Sequence, residues 1–180
     1  MNQEIERKFI IDPANADFKD LVRYINPIVE NRYYLFRKNG VELRFTSLAS
    51  ENSPPKYTLD RLEVLNTSLT VRSKERWHIS EAEFNRMLDL VRSESTSIEP
   101  IIRHSYTVSD DPKIEIKMYD GKFYGLVRAE VEFGSVADKD SFQTLPWMGE
   151  EISGTPIGND VTLAELSTED CAYYVNKFLA

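Results

Sequence analysis

Apolar and polar residues alternate with a period of two over most of this chain. Gln3 to Ile11 puts Ile5, Phe9 and Ile11 on one face and Glu4, Glu6 and Lys8 on the other. Gly40 to Thr46 sets Val41, Leu43 and Phe45 against Glu42, Arg44 and Thr46, and Lys56 to Val64 follows the same scheme less cleanly. Ser68 to Ile79 sets Leu69, Val71, Trp77 and Ile79 against Arg72, Lys74, Arg76 and His78. Lys113 to Tyr119 and Tyr124 to Phe133 repeat it, and Glu30 to Arg37 and Ile101 to Val108 complete a set of eight strand candidates. Such alternation is the mark of antiparallel strands with two unlike faces. Three segments have helical spacing instead. Asp12-Pro13 predicts a helix start running to about Ile25, Ser80-Glu-Ala-Glu is a capping box before Phe84, Met87, Leu88 and Val91, and Ser167-Thr-Glu-Asp opens a last helix. Ser47 to Pro55, Asn66 to Ser68, Ser109 to Pro112 and Ser153 to Asn159 read as loops, and Gly121 and Gly125 as a hairpin turn. The fold expected is α+β and mainly antiparallel: an eight-stranded closed β-barrel with helices packed on its outside.

Bulk properties narrow the class. The 180 residues suffice for a single domain spanning 1–180, and 41% hydrophobic with 29% charged residues is ordinary globular composition. No apolar run reaches membrane-spanning length, and the opening MNQEIERKF lacks the apolar stretch of a secretory signal. The single Cys171 excludes an internal disulfide and a cysteine zinc site, so a cytoplasmic protein is expected. A net charge of −8 argues against duplex nucleic acid and acidic membranes as partners. It leaves room for a small anion held by a local basic cluster. Oligomeric state is open, with a homodimer as one option.

The polar faces carry charges of both signs. Glu4 with Glu6, and Glu130 with Glu132, are each spaced i, i+2, so each pair projects from one side of a strand. Hard oxygen ligands grouped this way suit Mg²⁺ or Mn²⁺, which take one or two carboxylates plus phosphate oxygens. Lys8, Arg44, Lys56, Arg72, Lys74, Arg76, Arg103 and Lys117 supply opposite charge, and arginine forks match phosphate bidentately. The same pattern also describes a half-solvated sheet with surface ion pairs of small energetic worth. His78 fits a surface or rim position, Cys171 a packing role, and Trp77 and Trp147 packing between barrel and helix.

Glu4-Ile-Glu-Arg-Lys8 resembles the ExExK signature of the CYTH superfamily, the triphosphate tunnel metalloenzymes. Val41-Glu-Leu-Arg44, Arg72 in a strand before a helix, Arg103, Ala129-Glu-Val-Glu132-Phe and Trp147-Met-Gly-Glu-Glu151 follow in that family's order. The resemblance implies a charged tunnel of eight strands that binds a linear triphosphate. It implies metal held by Glu4, Glu6, Glu130 and Glu132, and phosphate held by Lys8, Arg44, Arg72 and Arg103. Lys56, Lys74 and Arg76 join the phosphate-binding candidates from the basic faces, and Glu4, Glu6 and Lys8 are the catalytic candidates. This chain departs from the family pattern at Thr46, Asp60, Lys74, Arg76 and Lys117, and at Pro156-Ile-Gly-Asn-Asp160. A base is lost at Asp60 while bases are gained at Lys74 and Arg76. The function expected is Mg²⁺-dependent hydrolysis of inorganic triphosphate or a small organic triphosphate. The alternatives are a nucleotide- or polyphosphate-binding module without turnover, a class IV-type adenylate cyclase, and a structural domain whose sheet faces water.

Overall fold

Eight strands form where the alternation places them, and they close on one another. The computed structural model describes residues 2–65, 71–94 and 100–179. The strands are β1 (Asn2–Ile10), β2 (Ile28–Lys38), β3 (Val41–Ser50), β4 (Ser53–Val64), β5 (Val71–Ile79), β6 (Ile101–Asp110), β7 (Lys113–Tyr119) and β8 (Val127–Phe133). Their order around the barrel is β1-β5-β4-β3-β2-β6-β7-β8, with every neighbour antiparallel. Two meanders, β2 to β5 and β6 to β8, join through β2 and β6. Strand β1 closes the ring by pairing Glu4 with Arg72 of β5 and Lys8 with Glu130 of β8.

The barrel is charged inside and apolar outside, which is why it needs helices. An apolar outer face left in water would forfeit about 25 cal/mol for each Å² not covered. Helix α1 (Ala16–Val22) buries Phe18 beside Phe9, Ile116, Val131 and Trp147 on one side of the barrel. Helix α2 (Glu81–Glu94) packs Phe84 and Val91 on Phe45. Helix α3 (Val136–Ser141) lies against β1 and β8. Helices α4 (Asp160–Leu163) and α5 (Thr168–Leu179) place Leu163 and Cys171 over Ile10, Ile101 and Leu126.

Several boundaries differ from the sequence expectation for identifiable reasons. The first helix starts at Ala16 rather than at Pro13. Asp12 spends its side chain on the Ala14 N–H in a local turn, and Asn15 caps the helix by accepting from the N–H groups of Asp17 and Phe18. The stretch 47–55 is strand on both sides of Glu51-Asn52, not loop. Its prolines fit because the β3–β4 register shifts between Leu48 and Ser50, and β5 pairing begins only at Tyr57, so Pro54 and Pro55 are asked for no ladder bond. The β7–β8 connection is a 3₁₀ turn, Gly121–Phe123, flanked by positive-φ glycines at 121 and 125, rather than a tight hairpin. Trp147 is buried as expected, whereas Trp77 is 46% exposed. The expected loop Asn66 to Ser68 and Leu69 lie outside the described residues.

Candidate functional site

The strand period sends Glu4, Glu6 and Lys8, Glu30 and Arg32, Arg44, Arg72, Lys74 and Arg76, Arg103, and Glu130 and Glu132 into one internal cavity of about 190 Å³. Among the described residues, ten Lys and Arg side chains and seven Asp and Glu side chains line it. Glu42 and Asp60 stand buried behind Arg44 and bring the balance close to neutral, but not negative, in a chain of net charge −8. Nearly half of the chain's 22 Lys and Arg residues are therefore gathered here. Ile28 and Leu48 form an apolar lip at one end.

Four ion-pair centres organise the lining. In the first, Arg72 bonds Glu6, lies 2.9 Å from Glu4, and Lys74 donates to Glu4 at 2.7 Å. Burial alone would raise the Glu4 pKa, but Arg72 and Lys74 hold it well below the usual carboxylate range. Lys8 Nζ sits 3.0 Å from both Glu6 and Asn159, and burial pulls its pKa down. In the second centre, Asp60 accepts two 2.7 Å bonds from Arg76 across the β4–β5 pair and faces Arg44 at 3.6 Å. The third is Glu30, which takes Arg103 at 3.0 Å, Arg32 at 3.2 Å, Lys117 at 3.4 Å and the Ser105 hydroxyl.

The fourth centre closes one end. After Gly149 the chain runs back along β1, with Ile152 N–H donating to the Lys8 carbonyl and Ser153 Oγ accepting from the Lys8 N–H. It then turns inward at Ile157 and Gly158, both buried, and delivers Asp160 to the cavity. Asp160 accepts from Arg128 at 2.5 Å, Arg103 at 2.9 Å and Tyr119 at 2.6 Å, and from Arg32. Arg128 also bonds Glu130 at 2.6 Å and the Ile157 carbonyl at 2.9 Å.

Two features leave this cavity chemically unfinished. Arg32, Arg44, Arg72 and Arg103 each keep a buried Nε donor without a hydrogen-bond acceptor. Glu4 Oε2, also buried, has Arg72 at 2.9 Å as an ion pair but accepts no aligned hydrogen bond. A buried donor left unmet costs about 1–3 kcal/mol, so a multi-oxygen anion is the ligand class such a lining favours.

The carboxylates of the lining bear on metal binding. Glu4, Glu6, Glu130 and Glu132 line one space with hard oxygens, each of them already ion-paired to a lining Lys or Arg. Among the described residues no three Asp, Glu, His or Cys side chains gather at one point. That donor set fits an ion whose remaining positions are filled by phosphate oxygens and water, as Mg²⁺ prefers, and not a prebuilt cage. Glu132 stands opposite Glu6 in the β1–β8 pair and lines the same cavity toward its open end, where Lys113 bonds it at 2.9 Å. Lys56 is exposed and does not line the cavity. Glu30, Arg32, Arg128 and Asp160, central to the lining, are not among the site residues expected from sequence. The alternation did mark Glu30 and Arg128 as strand residues, whereas Asp160 lies in a segment without any period.

Comparison with solved structures locates the architecture. The inorganic triphosphatase NE1496 superposes over 91% of this chain and 95% of its own at TM-score 0.56 and 21% identity. The PH1012 protein of Pyrococcus horikoshii matches 76% of this chain and 83% of its own, at TM-score 0.52 and 16% identity. The putative adenylyl cyclase HpAC1 from Hippeastrum, described as having a dominant triphosphatase activity, matches 76% of this chain and 82% of its own, at 0.52 and 13%. This barrel has the CYTH tunnel fold. No family model matches the sequence, and no curated protein does so at a significant level. The same barrel is carried here by a sequence that pairs Asp60 with Arg76 and lines the cavity with Lys74 and Asp160. Among the described residues no helix is long and apolar enough to cross a membrane.

Proposed function

We propose that this protein hydrolyses a linear triphosphate, inorganic or carrying a small organic group, with a divalent ion, Mg²⁺ or Mn²⁺, bound alongside. The observation that carries the reading is the set of four buried guanidinium groups with unused donors around one cavity that also holds Glu4 and Glu6. The activity named for NE1496 and HpAC1 agrees with it. Arg44, Arg72 and Arg103 grip phosphate oxygens, and Lys8 and Lys74 add point charge at the two ends of β1. Lys117 and Arg76 enlarge the basic wall. The terminal phosphorus undergoes in-line attack by water, with the arginines balancing charge on the equatorial oxygens. Glu4, held ionised by Arg72 and Lys74, is too weak a base to take a proton early, but its Oε2, which Arg72 reaches at 2.9 Å without an aligned hydrogen bond, can accept from a water and aim it. Glu4, Glu6, Glu130 and Glu132 are the residues suited to hold the ion. When bound, that ion neutralises charge on the phosphate oxygens.

Phosphate release from inorganic triphosphate with Mg²⁺ tests this directly. The Glu4→Gln/Glu6→Gln double variant should lose at least about 100-fold in kcat, the scale of a lost electrostatic or acid–base partner. A second reading, binding without turnover, is favoured by one specific feature: Asp60 occupies Arg76 and Arg44, so part of the basic wall is already neutralised. Thermal stabilisation by triphosphate with no release of phosphate would select that reading over hydrolysis.

A further inference from the structure

The cavity has an open end and a sealed one, and the seal is a single carboxylate. At the open end Lys113 and Arg76 are each 41% exposed, whereas Arg128 and Asp160 at the other end are 1% and 3% exposed. Asp160 is not a strand residue. It arrives from the segment 149–160, and its two oxygens take up Arg32, Arg103, Arg128 and Tyr119. Burial alone would favour its neutral form, but Arg128, Arg103 and Arg32 hold it well below the usual carboxylate range. A carboxylate with three guanidinium groups and a phenol around it fills the space, and satisfies the donors, that a terminal phosphoryl group would otherwise take. All three arginines also line the cavity, so they face the space that a bound phosphate chain occupies.

Resting on the polyphosphate reading above, we propose that Asp160 is the specificity-determining floor of the cavity. A linear phosphate chain enters end-first from the Lys113–Arg76 side, and Asp160 fixes how many phosphoryl groups fit by holding the three innermost arginines. Chains threaded through the barrel are excluded, and the end distal to the leading phosphate, with any organic group, stays at the mouth beside Ile28 and Leu48.

Calorimetric titration of pyrophosphate, triphosphate and tetraphosphate into wild-type protein and Asp160→Asn, with EDTA and again with Mg²⁺, tests this. Asn keeps an acceptor for Tyr119 while releasing charge from the arginines, so the floor recedes by one anionic group. The preference for tetraphosphate over triphosphate should rise at least tenfold in the variant relative to wild type. If the variant fails to fold, Arg32→Met/Asp160→Asn lowers the excess buried charge and should show the same shift. An unchanged chain-length preference in whichever variant folds overturns the floor while leaving the polyphosphate reading intact. Wild-type protein that binds none of the three chains overturns both.

Discussion

Asp60 has no measurable exposure, and its carboxylate is shared between Arg76 on the next strand and Arg44 on the preceding one. Removing it strands Arg44, itself 4% exposed, without its nearest aspartate. Breaking a buried pair from one side costs about 3–5 kcal/mol. The Asp60→Ala variant should therefore melt roughly 6–20 °C lower, at about 2–4 °C per kcal/mol for a domain of this size. Adding Arg44→Met should recover much of the loss in a thermal melt, and additive losses would show that the two do not interact. Sequence reasoning reached this pair indirectly, since a base lost at Asp60 and gained at Arg76 implies a swap, and the register Asp60↔Arg76 makes it a contact. Asp160 was beyond such reasoning. Its role depends on where a non-periodic segment re-enters the barrel, and no spacing rule encodes that.

Among the elements, helix α2 and the turn before α4 show the two extremes of legibility. Ser80 and Glu83 form the capping box read from sequence: Ser80 Oγ accepts from the Glu83 N–H at 3.2 Å, and Glu83 accepts from the Ser80 N–H at 2.8 Å. Such caps are local, so four residues suffice to announce them. Ser80→Ala should cost about 1 kcal/mol, seen as a drop of a few degrees in Tm. The turn at Gly158 is the reverse case. A Cβ there would stand 1.8 Å from the Ile152 carbonyl oxygen, a clash with backbone that no side-chain motion relieves. Gly158→Ala should thus displace the segment bearing Asp160. Faster amide exchange at residues 152–160, with the strands unchanged, is the expected signature. Six of the eight strands were legible because a two-residue period extends over them, while β2 and β6 were read as strand candidates without one. The start of β4 near Pro54 and of helix α1 at Asn15 were not, because a register shift and a local cap overrule composition there.

Across the whole molecule, the charged interior sets the response to acid. For Glu30, Glu130 and Asp160, burial pushes the pKa up, but the surrounding arginines prevail and hold all three well below the usual carboxylate range. A carboxylate whose folded pKa is depressed adds stability that is complete above its unfolded value near 4. That stability is lost as pH falls from there through the folded value. Tm should accordingly be flat from neutrality to about pH 5 and drop steeply below about pH 4. A melting temperature still flat at pH 3 would show that these pairs contribute little. Closure of the ring has a kinetic side as well. Strand β1 lies between β5 and β8, so residues 5–10 must meet partners at 128–133. During synthesis the first strand emerges early and waits, edge unpaired, until more than a hundred further residues have been made. The alternating acids and bases of that strand keep the waiting edge hydrated and hinder its pairing with another nascent chain. The same side chains that line the finished cavity thereby act first as a guard against aggregation.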